Sequence, residues 1–437
     1  MRASRHQKDS KENILNIMKK RPLLHNAGWM FVGNLASYGT QAICFVFTAR
    51  LLGVVQYGIY AGAIALVSII SQYSSFGSGL LFLRYVSGDR NECSAYWGNI
   101  LMSIVFVGGG LVFATSLFGS RIAGKEAGAL LLYVAIGECV GTQLTLCCSQ
   151  VFIAFEQMRI ATGLQLIGNL LRLGVVVVLY ATIHRVTVEQ WVVLQMSLAL
   201  VVAFIAGCIV VRQFGLPKWE RGLFRRRALE GLTFAFSGST TSAYNDIDKT
   251  MLSHYGMNRA NGTYSLAYRV INIATLPVNS IHAAAFPRFC KIGAQGAGVT
   301  MTYAVKVLRR TVFLGIASAA CLWFAAPLLP LVAGRGFSES VPAVRWLCLL
   351  PLFRAFHICA GDAMTGAGFQ HYRLGTQCIA AASNFVLNLW LIPHYGWLGA
   401  AWSSLATDGA LGAMNWGMLS IFALKFNRRL PFSPSIS

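Results

Sequence analysis

Residues 190–230 read QWVVLQMSLALVVAFIAGCIVV followed by RQFGLPKWERGLFRRRALE, and the change of character at position 212 decides the fold. Residues 190–211 carry no charged side chain. A helix of that length covers a hydrocarbon core of about 30 Å. The stretch after it holds Arg212, Lys218, Arg221 and the run Arg225-Arg226-Arg227. Cations beside an apolar span are retained on the cytoplasmic face of a membrane. Trp219, Leu223 and Phe224 among them predict either a helix lying on the membrane surface or a plain basic loop.

The same alternation runs outward in both directions. Apolar spans are expected near 27–49, 58–82, 98–119, 129–153, 160–182, 190–211, 231–252, 263–286, 311–333, 342–365, 374–392 and 398–423. The chain is 56% apolar and 12% charged, where a soluble domain carries about 25% charge. Mean hydropathy is +0.58. The expected fold is all-α: a polytopic membrane protein of about 12 transmembrane helices in two pseudo-symmetric six-helix lobes. The expected division is a basic N-terminal segment (1–26), an N-lobe (27–211), a basic linker (212–230), a C-lobe (231–424) and a tail (425–437).

With these spans and a cytoplasmic N-terminus, the cytoplasmic segments hold 25 Lys and Arg residues and the outer loops 5. An error of one helix would scramble that split, so it supports the span count as well as the orientation, with both termini cytoplasmic. The first span is too long for the apolar core of a signal peptide and is expected to be retained. The net charge of +21 does not point to nucleic acid. Its cations flank apolar spans instead of covering a polar module. The 11 cysteines fall mostly within spans and give neither a disulfide framework nor metal-ligand spacing. Asp246-Ile247-Asp248 has the form of a glycosyltransferase metal motif but lies inside a span, and no phosphate-binding Walker loop is present. No cofactor, metal or catalytic residue is expected.

The halves are related. A shift of 204 residues brings Gly58 to Gly262, Tyr60 to Tyr264, Phe82 to Phe286 and Arg84 to Arg288, and a shift of 214 brings Phe155 to Phe369 and Arg159 to Arg373. Both registers pair spans of equal direction, which implies a parallel repeat about an axis along the membrane normal.

Three landmarks carry a family resemblance. They are Arg50-Leu51-Leu52-Gly53 with Tyr57-Gly58-Ile59-Tyr60-Ala61, then Asp248-Lys249 with Gly262-Thr263-Tyr264-Ser265-Leu266-Ala267-Tyr268-Arg269, then Asn388-Leu389-Trp390-Leu391-Ile392-Pro393 running to Gly399-Ala400-Ala401. In this order they resemble the polysaccharide flippases of the multidrug/oligosaccharidyl-lipid/polysaccharide exporter superfamily. The resemblance implies carriage of a polyprenyl-pyrophosphate-linked oligosaccharide repeat unit from the inner to the outer leaflet of a bacterial plasma membrane. It also implies work beside a polysaccharide polymerase and export machinery. Lipid II flippases of the superfamily carry two further helices, for which this chain has no room.

Ionisable residues inside spans are expensive and usually face a cavity or a partner. Arg50, Arg172, Lys249, Arg269 and Arg354 are the candidate ligands of an anionic pyrophosphate, which Arg meets with a planar fork. Glu138, Asp248, His357, Asp362 and Asp408 are candidates for ion coupling. Simpler roles stand beside these: snorkelling for Arg50, a structural pair for Asp248 and Lys249, and neutral packing for Glu138, Asp408 and His357. Thr241, Ser242, Asn245, Asp248 and Lys249 share one face of the seventh span, and Arg269, Asn272, Asn279 and Ser280 one face of the eighth. Arg354, His357, Gly361 and Thr365 share a face of the tenth.

The rivals are a drug exporter of the same superfamily, expected to have an apolar or acidic cavity, and a membrane polymerase or sugar transferase, expected to have a long catalytic outer loop. Reporter fusions at Gly124 and Gly222 are expected to give opposite signals, outer and cytoplasmic respectively. Equal signals would remove this topology.

Overall fold

The structure, a computed structural model, describes residues 2–87, 92–183 and 186–427. Among them it holds helices and short connections and no strand. Helices α1 and α2 are the two parts of the continuous stretch Arg2–Ser71, divided at Gly53 (φ 70°, ψ 171°). The connection expected at 50–57 is therefore a single residue, in a conformation open to glycine. After a turn at Phe76 and Gly77, both with positive φ, α2 resumes as Ser78–Val86. Then follow α3 (Cys93–Ala123), α4 (Leu131–Ala154), α5 (Met158–Thr182) and α6 (Val188–Phe214). The second half comprises α7 (Arg221–His254), α8 (Asn258–Gly293), α9 (Ala297–Ala333), α10 (Ser340–Gly366), α11 (Gln370–Tyr395) and α12 (Trp397–Asn427).

Local chemistry explains the boundaries. Thr187 opens α6 with a capping box: the Gln190 amide N–H donates to its hydroxyl at 3.3 Å, and its own N–H donates to Gln190 Oε1 at 3.2 Å. The basic run at 225–227 forms no separate surface helix. It is the first part of α7, which at 34 residues is about 51 Å long and outruns a bilayer core.

Eight stretches are long and apolar enough to cross a membrane by composition alone. α7, α8 and α12 fall outside that set because polar side chains dilute them: Asp246, Asp248 and Lys249 on α7, Arg269 and Asn272 on α8, and Ser403, Ser404, Thr407 and Asp408 on α12. The fold is an all-helical two-lobed membrane bundle, α1–α6 and α7–α12.

The packing repeats with an offset of six helices. α1 lies on α5 as α7 lies on α11, α2 on α4 as α8 on α10, α4 on α6 as α10 on α12, and α5 on α6 as α11 on α12. Aromatic detail repeats as well. Phe155 at the α4–α5 corner stacks on Phe214 near the end of α6 (4.3 Å, 18°), and Phe369 at the α10–α11 corner stacks on Phe422 in α12 (4.1 Å, 14°). The turn hydrogen bonds correct the register slightly. Gln157 N–H donates to Phe152 O as Phe369 N–H donates to Met364 O, an offset of 212 at this corner, not 214.

The lobes meet closely at one end, where equivalent glycines touch. A Cβ at Gly58 would overlap the Asn258 carbonyl and Gly262 N, and one at Gly262 would overlap the Val54 carbonyl. Gly62, one turn on, lies against Ser253 and Asn261. Small residues spaced by four let helix backbones approach closely. Asn261 Nδ2 donates to Gly58 O at 2.9 Å and to Lys249 O at 3.0 Å, tying α2, α7 and α8 together. Tyr57, Phe45 and Phe337 add edge-on ring contacts above this seam. Gly58→Val is expected to force the seam apart, at a cost of about 1–3 kcal/mol. Thermal unfolding in detergent should show a lower midpoint for this variant than for wild type; an equal midpoint would contradict the seam.

Candidate functional site

Below the glycine seam, between the lobes, lies a cavity of about 620 Å³. Its wall is built from α2 (Tyr57, Tyr60, Ser68), α7 (Thr241, Tyr244, Asn245, Asp246, Lys249), α8 (Tyr268, Arg269, Asn272, Asn279), α10 (Arg354, His357) and α11 (Arg373, Gln377). Among the described residues the charged lining is Lys249, Arg269, Arg354 and Arg373 against Asp246 alone.

Each cation is held differently. Lys249 Nζ pairs with Asp246 Oδ1 at 2.5 Å, donates to Asn245 O at 2.7 Å and lies 4.2 Å from the Tyr268 ring centroid. Ser68 Oγ donates to the other Asp246 oxygen at 3.1 Å, so this pair joins the lobes. Arg354 donates to Asn272 Oδ1 at 2.6 Å and to the Tyr268 hydroxyl at 2.9 Å, and its Nε is 3.9 Å from Asp408. His357 Nε2 approaches the same carboxylate at 3.7 Å. Arg373 donates to Thr365 Oγ1 at 2.9 Å and to Asp362 Oδ1 at 3.3 Å. Arg269 is exposed to the cavity, stands against the Tyr57 hydroxyl and forms no salt bridge among the described residues. An unneutralised guanidinium surrounded by protein is a strong anion site.

The structure separates the sequence candidates. Lys249, Arg269, Arg354 and His357 come together on this cavity. Arg172 and Glu138 line a second chamber of about 250 Å³, walled by N-lobe helices and by Arg269 of α8. Arg50 lies apart, at the far end of α1, where Nε and Nη2 donate to the carbonyls of Val332 and Leu331 at 2.5 Å each. It reaches from one lobe to the other instead of the cavity wall. Asp408 and Asp362 stand behind Arg354 and Arg373, buried and off the lining.

On α7 the expected stripe needs correcting. Asp248 turns away from the cavity, is buried, and accepts from the Tyr264 hydroxyl and, at 3.4 Å, from Ser404, which fixes α7 to α8 and α12. Asp246 takes the wall position in its place. Ser280 on α8 is likewise outside the lining.

Two residues escaped the sequence reading. Arg373 falls just before the expected span 374–392, so by sequence it reads as one more cytoplasmic cation, although the repeat pairs it with Arg159. His282, buried on α8 and 3.6 Å from Asp362, carried no local signal at all.

Arg373→Ala would leave Asp362 in a buried site with only His282 nearby, a loss of about 1–3 kcal/mol. Adding Asp362→Asn should recover much of it. A thermal-unfolding double-mutant cycle would show this non-additivity; strictly additive losses would dissolve the pair.

A family profile described as polysaccharide biosynthesis protein matches residues 23–293. Among curated relatives, an uncharacterized membrane protein of Methanocaldococcus jannaschii is 20% identical over 417 residues, covering 87% of this chain and 81% of that one. A probable low-salt glycan biosynthesis flippase of Haloferax volcanii is 20% identical over 392 residues, covering 85% and 78%. Among solved structures, the inward-facing conformation of a multidrug resistance MATE transporter of the MOP superfamily superposes with a TM-score of 0.71 at 12% identity, covering 90% of this chain and 96% of that one. The inward closed conformation of the lipid II flippase MurJ gives 0.70 at 13% identity, covering 92% and 88%. An outward-facing MATE transporter gives 0.60 at 13% identity, covering 92% and 96%.

Proposed function

Because the chain belongs to the polysaccharide biosynthesis protein family, we propose that it moves a lipid-linked oligosaccharide across a plasma membrane, gripping the pyrophosphate in the cavity between its lobes. The observation that carries this reading is the lining of Lys249, Arg269, Arg354 and Arg373 against the single carboxylate of Asp246. A dianionic group is the ligand that such a wall stabilises.

The cations are spread along the path. On α8, the partners run from Arg269 through Asn272, which holds Arg354, to His282, beside the Asp362 that holds Arg373. Residues 269 and 282 are about 20 Å apart along the helix axis. With the basic ends of the helices cytoplasmic, Arg373 lies toward entry, Arg354 midway, and Arg269 with Lys249 nearest the outer face. Substrate entering from the cytoplasm meets Arg373 first and reaches Arg269 and Lys249 before release. The Gly58–Gly262 seam then closes the outer end, and greater likeness to inward-facing than to outward-facing relatives supports the same assignment. Rocking of the lobes about the cavity would open that seam and close the other end, with the prenyl tail left in lipid. The protein acts as a transporter and not as an enzyme.

Fold likeness does not choose between a drug exporter and a flippase, since the TM-scores are 0.71 and 0.70. The cationic wall favours the flippase, because it suits an anionic headgroup and would repel a cationic drug. The bacterial setting comes from the sequence resemblance, while the flippase relative is archaeal; the cavity chemistry serves either.

Arg269→Ala is expected to abolish export of surface polysaccharide while the protein inserts at wild-type abundance, and Arg269→Lys to restore part of it, since Lys keeps the charge but loses the fork. Full export by Arg269→Ala at wild-type abundance would end this assignment.

A further inference from the structure

Arg269 and Tyr60 line the central cavity and also the 250 Å³ chamber against the N-lobe helices, so the two spaces meet at these residues. The chamber's other polar wall comes from Glu138 and Tyr133 on α4, Arg172 on α5 and Gln195 on α6.

Three features make this wall unlike packed interior. Glu138 sits in the π-helical segment Ile136–Thr142. The extra residue per turn rotates its side chain relative to a regular helix, and such bulges concentrate at functional sites. The Ser74 hydroxyl donates to the Cys139 carbonyl within this segment, so the bulge is braced by α2. Next, the Gln195 amide nitrogen is buried without a hydrogen-bond partner among the described residues. An orphan donor is costly unless a ligand meets it. Last, Glu138 and Arg172 share the wall and yet form no salt bridge with each other. A pair kept only for charge neutrality would be in contact.

An amide donor, a guanidinium and a carboxylate, with tyrosine rings beside them, are groups that grip vicinal hydroxyls and cover the C–H face of a sugar. The volume is on the scale of one monosaccharide ring. A pyrophosphate resting on Arg269 would leave its first sugar at the mouth of the chamber.

We propose that this chamber is a sugar-reading subsite that takes the monosaccharide next to the pyrophosphate, with Glu138, Arg172 and Gln195 deciding which sugar is accepted. The proposal rests on the reading that the pyrophosphate lies at Arg269. It gives Glu138 a recognition role.

The test uses the full chain in lipid nanodiscs and polyprenyl pyrophosphate, either bare or bearing one hexose, N-acetylhexosamine or hexuronic acid. Wild type should prefer one sugar-bearing lipid over the bare lipid by about tenfold, and Glu138→Gln and Gln195→Leu should each lower that ratio about tenfold. A wild type without preference, or an unchanged ratio in both variants while they elute as monodisperse protein, would overturn the subsite and leave the pyrophosphate site standing. Binding of none of these lipids by wild type, or binding untouched by Arg269→Ala, would remove the transport reading and the subsite with it.

Discussion

The structure turns on one constraint: a cation within a bilayer core must be given an acceptor, because no water is there to supply one. Lys249 takes Asp246, Arg354 takes Asn272, Tyr268 and the outlying Asp408, and Arg373 takes Asp362 and Thr365. Arg269 stands against the Tyr57 hydroxyl, with Asp246 and Tyr60 near it and no salt bridge among the described residues. The Lys249–Asp246 pair lies within α7 and is tied to α2 through Ser68, while the other partners come from different helices, so the arrangement that makes the charges tolerable also fixes α8, α10, α11 and α12 against one another. An anion entering the cavity competes for the same donors. Binding is therefore an exchange of partners, and the weakly partnered Arg269 is where exchange costs least.

The lobes share a plan but not a chemistry. Their packing repeats helix for helix, down to the stacked pairs Phe155–Phe214 and Phe369–Phe422. Yet the four cation-bearing cavity helices of the C-lobe, α7, α8, α10 and α11, have no cationic counterpart lining the central cavity from the N-lobe among the described residues. In the N-lobe, Arg159 near the start of α5 lies 5.2 Å from the Trp29 ring, while Arg373 near the start of α11 points into the cavity. A duplicated scaffold thus supplies the hinge symmetry, and divergence of a few side chains supplies the polarity of the site.

Much of the fold was legible because hydrophobic length and cation placement report directly on a membrane. Residues 190–211 and the basic stretch after them are enough to place α6 and the start of the second lobe. What resisted reading were interruptions that cost few residues: the turn at Phe76 and Gly77, the π-helical segments in α3 and α4, and the shortness of the break at Gly53, whose place falls inside the connection expected at 50–57. Each changes direction or register without changing composition. For the site, the residue types were legible and their facing was not. A helical wheel at 100° per residue placed Asp248 with Lys249, whereas contacts from Tyr264 and Ser404 decide that Asp248 is turned inward. Arg373 was hidden by its nearness to a span end, and His282 by the absence of any local pattern.

The seam where Gly58 meets Gly262 has a kinetic consequence. Its contact is made almost wholly of main chain whose hydrogen bonds are already satisfied within α2 and α8. Parting the glycines themselves breaks little beyond the Asn261 bond to Gly58 O, and no side chain there has to unthread. The rim of the same joint is different: Ser253 donates to Ala123 O, Asn258 to Glu126, and Arg50 to the carbonyls of Val332 and Leu331, all from one lobe to the other. The glycines thus make a smooth bearing and the polar rim makes the latch, so the time the barrier stays shut is set at the rim.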